Sequence, residues 1–234
     1  MESDRPFIVS FSGIDGAGKT TQITALTEHL RSLGLTTMLC TFWDDIVVFS
    51  RLREFLSLKA FKGEKGVGSP EKPVNRRDKN VSSSYVIVLR LFLYLLDALS
   101  LRVAVSRLSR SNADVTIFDR YIYDELANLP LNHAVVGFFI RAVLHLAPSP
   151  DVAYVLDADP QAACARKPEY PLEFVRKNRD AYLALSRIVG EMHVIAPLSE
   201  LEMSAQVIEA IRRCGPLPTR DCNPTESADL TASR

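Results

Sequence analysis

Residues 13–20 read Gly13-Ile14-Asp15-Gly16-Ala17-Gly18-Lys19-Thr20, a complete G-x-x-x-x-G-K-T loop. The chemistry open to such a loop is the capture of a polyphosphate. Glycines let the backbone curl so that its N–H groups converge on an anion. A helix that begins at the end of the loop adds a partial positive charge. Lys19 can reach β- and γ-phosphates, and the Thr20 hydroxyl can ligate Mg²⁺. Gly13, Asp15, Gly16, Ala17, Gly18, Lys19, Thr20 and Thr21 are therefore the candidate contacts for a nucleoside triphosphate. A second acid-base pair, Asp119-Arg120, ends an apolar stretch much later in the chain. Asp119 is a candidate on the metal side, beside Thr20.

These residues need elements to hold them. Phe7 to Phe11 reads as a buried strand, and Thr21 to Leu33 reads as a helix with Ile23, Leu26, Leu30 and Leu33 on one side. The coarse pattern predicts strands at 7–12, 35–42, 114–118, 151–157 and 191–196. Helices are predicted at 19–33, 45–60, 81–110, 133–147, 171–189 and 199–213. Alternation of this kind implies crossover units and a parallel sheet. Val115–Phe118 and Val152–Leu156 are apolar at nearly every position, as strands covered on both faces are. Ligands in such sheets bind at the carboxyl ends of the strands, so Asp119 and Asp157 should share a crevice with the phosphate loop.

The 234 residues suffice for one α/β domain, expected over 1–214. Hydrophobic residues make up 47% and charged residues 24%, and Lys+Arg balances Asp+Glu at 28 each. Nothing in that balance calls for a nucleic-acid polymer as partner. Cys40, Cys164, Cys214 and Cys222 show no C-x-x-C spacing, which fits reduced thiols in a cytoplasmic protein. The first six residues lack the apolar stretch of a signal peptide. Tyr85 to Leu108 is rich in Leu, Val and Phe, but Arg90, Asp97, Arg102 and Arg107 interrupt it. It reads as a long helix in the core or at a subunit interface rather than a membrane span. Residues 61–80 form a polar insertion with Gly and Pro, read as a mobile loop, and 215–234 read as a disordered tail. His29, His133, His145 and His193 lack ligand spacing.

No N-K-x-D guanine-reading segment is present. Asp119 is followed by Arg120, not by the Glu that activates water in ATPase motors. An Arg there suits a second phosphate and favours transfer to a bound acceptor. Transfer without hydrolysis calls for a basic lid over the site. Residues 165–172, leading into a helix with Arg176, Lys177 and Arg179, have that composition, although basic residues on a helix are more often a solvated face.

At this point a family resemblance becomes specific. Phe11 to Gln22 resembles the phosphate loop of thymidylate kinases, including the Asp within the loop and the Thr-Gln after it. Asp119-Arg120-Tyr121 resembles that family's D-R-Y segment. Leu156 to Pro160, Arg166 and Arg179 to Leu185 resemble its fourth strand, lid and following helix. The resemblance implies a P-loop NTPase three-layer fold, with a five-stranded parallel sheet flanked by helices. It implies ATP with Mg²⁺ as phosphoryl donor and dTMP as acceptor, giving dTDP. It implies that Asp15 lies beside the transferring group, that Arg120 grips the acceptor phosphate, and that Arg166 is the lid charge. Lys19, Asp15, Arg120 and Arg166 would then be catalytic, and Trp43, Asp97, Arg120 and Tyr121 would bind the acceptor. A homodimer is a further implication, with the Phe138–Leu144 stripe as one candidate face and core packing as the alternative.

The departures fall on the acceptor side. The family usually has Glu where this chain has Ser12, and a Pro- and Arg-bearing segment where it has Thr41-Phe42-Trp43-Asp44-Asp45-Ile46. After D-R-Y the family continues with a Ser and small residues, whereas this chain has Ile122-Tyr123-Asp124-Glu125-Leu126. Two alternatives stay open: a kinase of another small molecule, such as a sugar or nucleoside derivative, and a non-catalytic nucleotide-binding module.

Overall fold

A computed structural model describes residues 5–47, 84–108, 110–131 and 133–215. Five strands, β1 (Phe7–Ser12), β2 (Thr37–Thr41), β3 (Val115–Asp119), β4 (Val152–Leu156) and β5 (Met192–Ile195), form one parallel sheet in the order β2-β3-β1-β4-β5. Each matches its expected strand to within two residues. The described helices are α1 (Lys19–Ser32), α2 (Ser84–Leu108), α3 (Ile122–Leu126), α4 (Ala134–Leu146), α5 (Pro160–Arg166), α6 (Leu172–Val189) and α7 (Glu200–Cys214).

The central strands are apolar because both faces are covered. Ile8, Val9 and Phe11 of β1, Val115, Ile117 and Phe118 of β3, and every residue of β4 are buried. The edge strands β2 and β5 are only partly buried, which suits their mixed composition. α1 packs against α7, and α2 against α4. The register sets Phe11 beside Asp119 and Ser12 beside Val155, so β1, β3 and β4 end together at one edge.

Local chemistry fixes the helix starts. Asp159 caps α5 by accepting from the Ala162 N–H at 2.8 Å, with Pro160 in the first turn. Ser199 and Glu202 form a capping box at α7, and Gly190 ends α6 in the left-handed region at φ 80°.

Two short helices, α3 and α5, differ from the expected loops, and Arg166 consequently ends a helix instead of lying in an irregular lid. After β2 the chain makes a π-helical turn, Phe42–Ile46, with Asp45 accepting from the Thr41 N–H at 2.7 Å. The rest of the helix expected at 45–60, the 61–80 loop, Cys222 and nearly all of the 215–234 tail lie outside the described residues. No described helix is long and apolar enough to cross a membrane.

Candidate functional site

The loop after β1 lies against the end of β4 and against α5. A Cβ on Gly13 would fall 2.5 Å from the Leu156 carbonyl oxygen, and one on Gly16 would fall 2.5 Å from that of Ala163. Both glycines have positive φ, so the sequence requires glycine here for space and for conformation. Gly18, also left-handed, precedes Lys19 at the start of α1, which has no side-chain cap. The first N–H groups of that helix therefore face outward without an intrahelical acceptor, the arrangement that receives an anion. Thr20 and Thr21 are exposed beside them, and Ala17 is buried beneath the loop.

Lys19 is folded back under the loop. Its Nζ donates to the carbonyls of Gly13 and Ile14 at 2.7 and 2.9 Å. Burial, and then the charge of Arg120, depress its pKa to about 8, although Asp15 and Asp124 pull the other way.

Arg120, the first residue after β3, is the centre of the charge network. Its φ of 70° lies in the left-handed region, unusual for a residue with a Cβ. Its N–H donates to the Phe11 carbonyl at 2.9 Å. One guanidinium arm, Nη2, binds Asp15 Oδ1 at 2.5 Å, and the other, Nη1, lies 3.7 Å from Asp124 Oδ1. Burial opposes the Asp15 charge, but Arg120, Lys19 and Lys167 overcome it and hold the carboxyl below its ordinary range. Lys167 follows directly on α5, so the start of the expected lid does bring positive charge toward the loop.

Asp124 is 3% exposed. Its Oδ2 accepts from the Ser12 hydroxyl at 2.6 Å and the Tyr121 N–H at 3.0 Å, and its Oδ1 accepts from the Tyr182 hydroxyl at 2.7 Å. Four elements, β1, β3, α3 and α6, thus converge on Arg120 and Asp124. Sequence reasoning missed Asp124 and Tyr182 as site residues. In sequence, Asp124 stands out only as a departure after the D-R-Y segment.

Asp119 ends β3 beside Phe11 in the register, and its Oδ1 is buried with no hydrogen-bond partner. A buried carboxylate oxygen without a donor fits a hard cation, and Thr20 supplies a hydroxyl near the start of α1. No cluster of three or more His, Cys, Asp or Glu among the described residues forms a protein-only metal cage.

The other expected residues are spread more widely. Asp157 shares the strand-end edge, but Arg179 occupies it in a bidentate pair at 2.6 and 2.7 Å. That pair consumes both the strand-end acid and one of the basic residues assigned to the lid helix. Lys177 pairs with Glu173 on the exposed face of α6. Arg166 is exposed, and among the described residues no carboxylate lies within ion-pair distance of it. Tyr121 is fully buried, and its hydroxyl donates to the Pro148 carbonyl at 2.7 Å, so it serves the core rather than an open pocket. Asp97 is likewise fully buried, on α2. Trp43 is half-buried, edge-on to Phe42 in the π turn, while Asp44 beside it is exposed.

No protein-family model matches the chain. It is 26% identical over 207 residues to the "Probable thymidylate kinase" of Pyrococcus horikoshii, covering 85% of this chain and 91% of that protein. It is 35% identical over 107 residues to the "Probable thymidylate kinase" of Pyrobaculum aerophilum, covering 42% of this chain and 55% of that one. The crystal structure of thymidylate kinase from Ehrlichia chaffeensis superimposes with a TM-score of 0.57 at 18% identity, covering 89% of this chain and 99% of that one. The five-stranded parallel sheet flanked by helices is the P-loop fold that the chain shares with that structure. In sequence the chain resembles thymidylate kinases over most of its length, as a divergent relative.

Proposed function

We propose that this chain is a P-loop kinase that transfers the γ-phosphoryl group of Mg-ATP to a nucleoside monophosphate, with dTMP as acceptor and dTDP as product. The observation that carries the reading is the convergence of Lys19, Asp15, Arg120 and Asp119 where β1 and β3 end side by side. A phosphate oxygen of the acceptor attacks the γ-phosphorus in line, the bond to the β-phosphate bridging oxygen breaks, and ADP leaves. The protein's part is positioning and charge. The phosphate loop and Lys19 hold the donor phosphates. Arg120 binds the acceptor phosphate, and Asp15 is its partner until that phosphate arrives. Arg166, exposed at the end of α5 and without an acidic partner among the described residues, is available to the transferring group. Thr20 and Asp119 would hold Mg²⁺, which neutralises phosphate charge when bound.

The enclosed positions of Tyr121 and Asp97 favour a second reading, in which the same donor half serves another small molecule. The two separate in one assay: ADP release from Mg-ATP by purified protein against a panel of nucleoside monophosphates, with a no-acceptor control. Stimulation of at least ~10-fold by dTMP supports the first reading. No stimulation by any nucleotide, with ATP binding intact, supports the second. Lys19→Ala should abolish transfer under either reading while circular dichroism stays unchanged, and full activity in that variant would sink both.

A homodimer belongs to the same proposal. Val88, Phe92, Leu99 and Val103 are exposed along α2 at spacings of four, seven and four residues, which line one side of a helix. Val135 and Phe138 on α4 are exposed as well. Light scattering on the wild type and on Phe92→Glu tests this: a dimer that becomes a monomer is expected. A cytoplasmic setting is consistent with the free thiols of Cys40, Cys164 and Cys214.

A further inference from the structure

We infer that Asp124 is a positioning residue for Arg120, an anchor that holds one arm of the guanidinium while the other exchanges Asp15 for the acceptor phosphate. The inference rests on the reading of Arg120 as the acceptor-phosphate ligand. Three observations carry it. First, the two arms are divided: Nη2 goes to Asp15, on the phosphate loop, and Nη1 faces Asp124, on α3. Asp15 is only partly buried and belongs to a glycine loop, whereas Asp124 is nearly inaccessible. The first contact can be given up to an incoming anion, and the second cannot be reached by one.

Second, Asp124 is itself fixed. The Ser12 hydroxyl, the Tyr182 hydroxyl and the Tyr121 N–H approach it from β1, α6 and the start of α3. A buried carboxylate satisfied by three donors and facing one guanidinium is held in place. Third, Arg120 is built on a left-handed backbone that its own side chain disfavours. The φ sets where the side chain departs from the backbone, and Asp124 sets where it ends. Ser12 also precedes Gly13 directly, so the same carboxylate ties the root of the phosphate loop to the arginine that faces it.

Arg120 therefore acts as a swivel. In the free site its charge is shared between two carboxylates, which keeps Asp15 ionised. When a phosphate displaces Asp15, the guanidinium does not have to be ordered afresh, because Asp124 already restrains it. Preorganisation of this kind lowers the cost of binding the acceptor without touching it.

The test is Asp124→Asn, which keeps the shape and removes the charge. The Michaelis constant for dTMP should rise by ~10-fold or more, as expected when one partner of a largely buried ion pair loses its charge. The dissociation constant for Mg-ATP should stay within about twofold of wild type. In an Arg120→Ala background, Asp124→Asn should add less than about twofold, because an anchor has no effect once its load is gone. Equal losses for ATP and dTMP, or full additivity with Arg120→Ala, would assign Asp124 to general structure and overturn the inference. Tyr182→Phe, a milder change to the same carboxylate, should shift the dTMP constant in the same direction and covers the case in which Asp124→Asn fails to fold. If wild-type protein does not use dTMP, the functional reading fails, but the anchor is still tested without substrate. Side-chain ¹⁵N NMR of Arg120 should show slowed rotation of the Nη groups in wild type and faster rotation in Tyr182→Phe and Asp124→Asn. Unchanged rotation refutes the anchor.

Discussion

Raising the pH from 7 to 9 should weaken Mg-ATP binding about tenfold through Lys19 alone. The amine sits beneath an uncapped loop, its protons committed to the carbonyls of Gly13 and Ile14, and burial followed by Arg120 brings its pKa to about 8. A bound polyphosphate in contact with the ammonium raises that value, so the bound state stays protonated across the window. In the free protein the protonated fraction falls from roughly 90% at pH 7 to roughly 10% at pH 9. The ratio is about tenfold in affinity, or about 1.4 kcal/mol. Near pH 8, binding should take up about half a proton per nucleotide. Titration calorimetry in buffers of differing ionisation enthalpy measures both quantities, and Lys19→Arg should remove the uptake. A flat affinity from pH 7 to 9, with no buffer-dependent heat, would refute the reasoning. The sign for stability is opposite. Because the folded pKa lies below the unfolded one, the charged amine opposes folding below pH 8, and that opposition is relieved as pH rises from 8 toward 10.5.

Arg120→Ala should lower turnover by ~10²–10³ and raise the Michaelis constant for the acceptor, read in steady-state kinetics with Mg-ATP saturating. Gly16→Ala forces a methyl group to within 2.5 Å of the Ala163 carbonyl oxygen at a φ of 82°. It should cost ~1–3 kcal/mol in urea denaturation and weaken nucleotide binding with it. Tyr154→Phe removes a hydroxyl that donates to the Val207 carbonyl of α7 at 2.6 Å. It should cost about 1 kcal/mol of stability and leave the kinetic constants unchanged.

The phosphate loop, the strand order of burial and the strand-end acid Asp119 were legible because each depends on a local pattern. Glycine spacing reports backbone curvature, and a fully apolar strand reports two covered faces. The π turn after β2 and the five-residue α3 were not legible, since runs that short carry no periodicity. α5 did carry a signal, Asp159-Pro160, a cap followed by the residue favoured at a first helical turn. The fate of Asp157 was invisible for a different reason. Its position after β4 was correctly read, but the arginine that occupies it stands 22 residues away on α6. The departures at Ser12 and Asp124 looked unrelated in sequence. In the fold they are the two ends of one hydrogen bond, with a hydroxyl on β1 and a carboxylate on α3. Only tertiary structure brings the two positions together.

The contact between Gly16 and Ala163 is backbone against backbone, with no side chain to act as a cushion. Ala163 lies one turn before Arg166 on the short α5, so a rigid rod of under two turns links the crest of the loop to that exposed cation. A lever this short loses little displacement to bending. Any displacement of the loop toward α5 would have to be taken up by the helix itself. Loop and helix therefore meet as one backbone-to-backbone joint, through a junction that has room for a hydrogen atom and nothing larger.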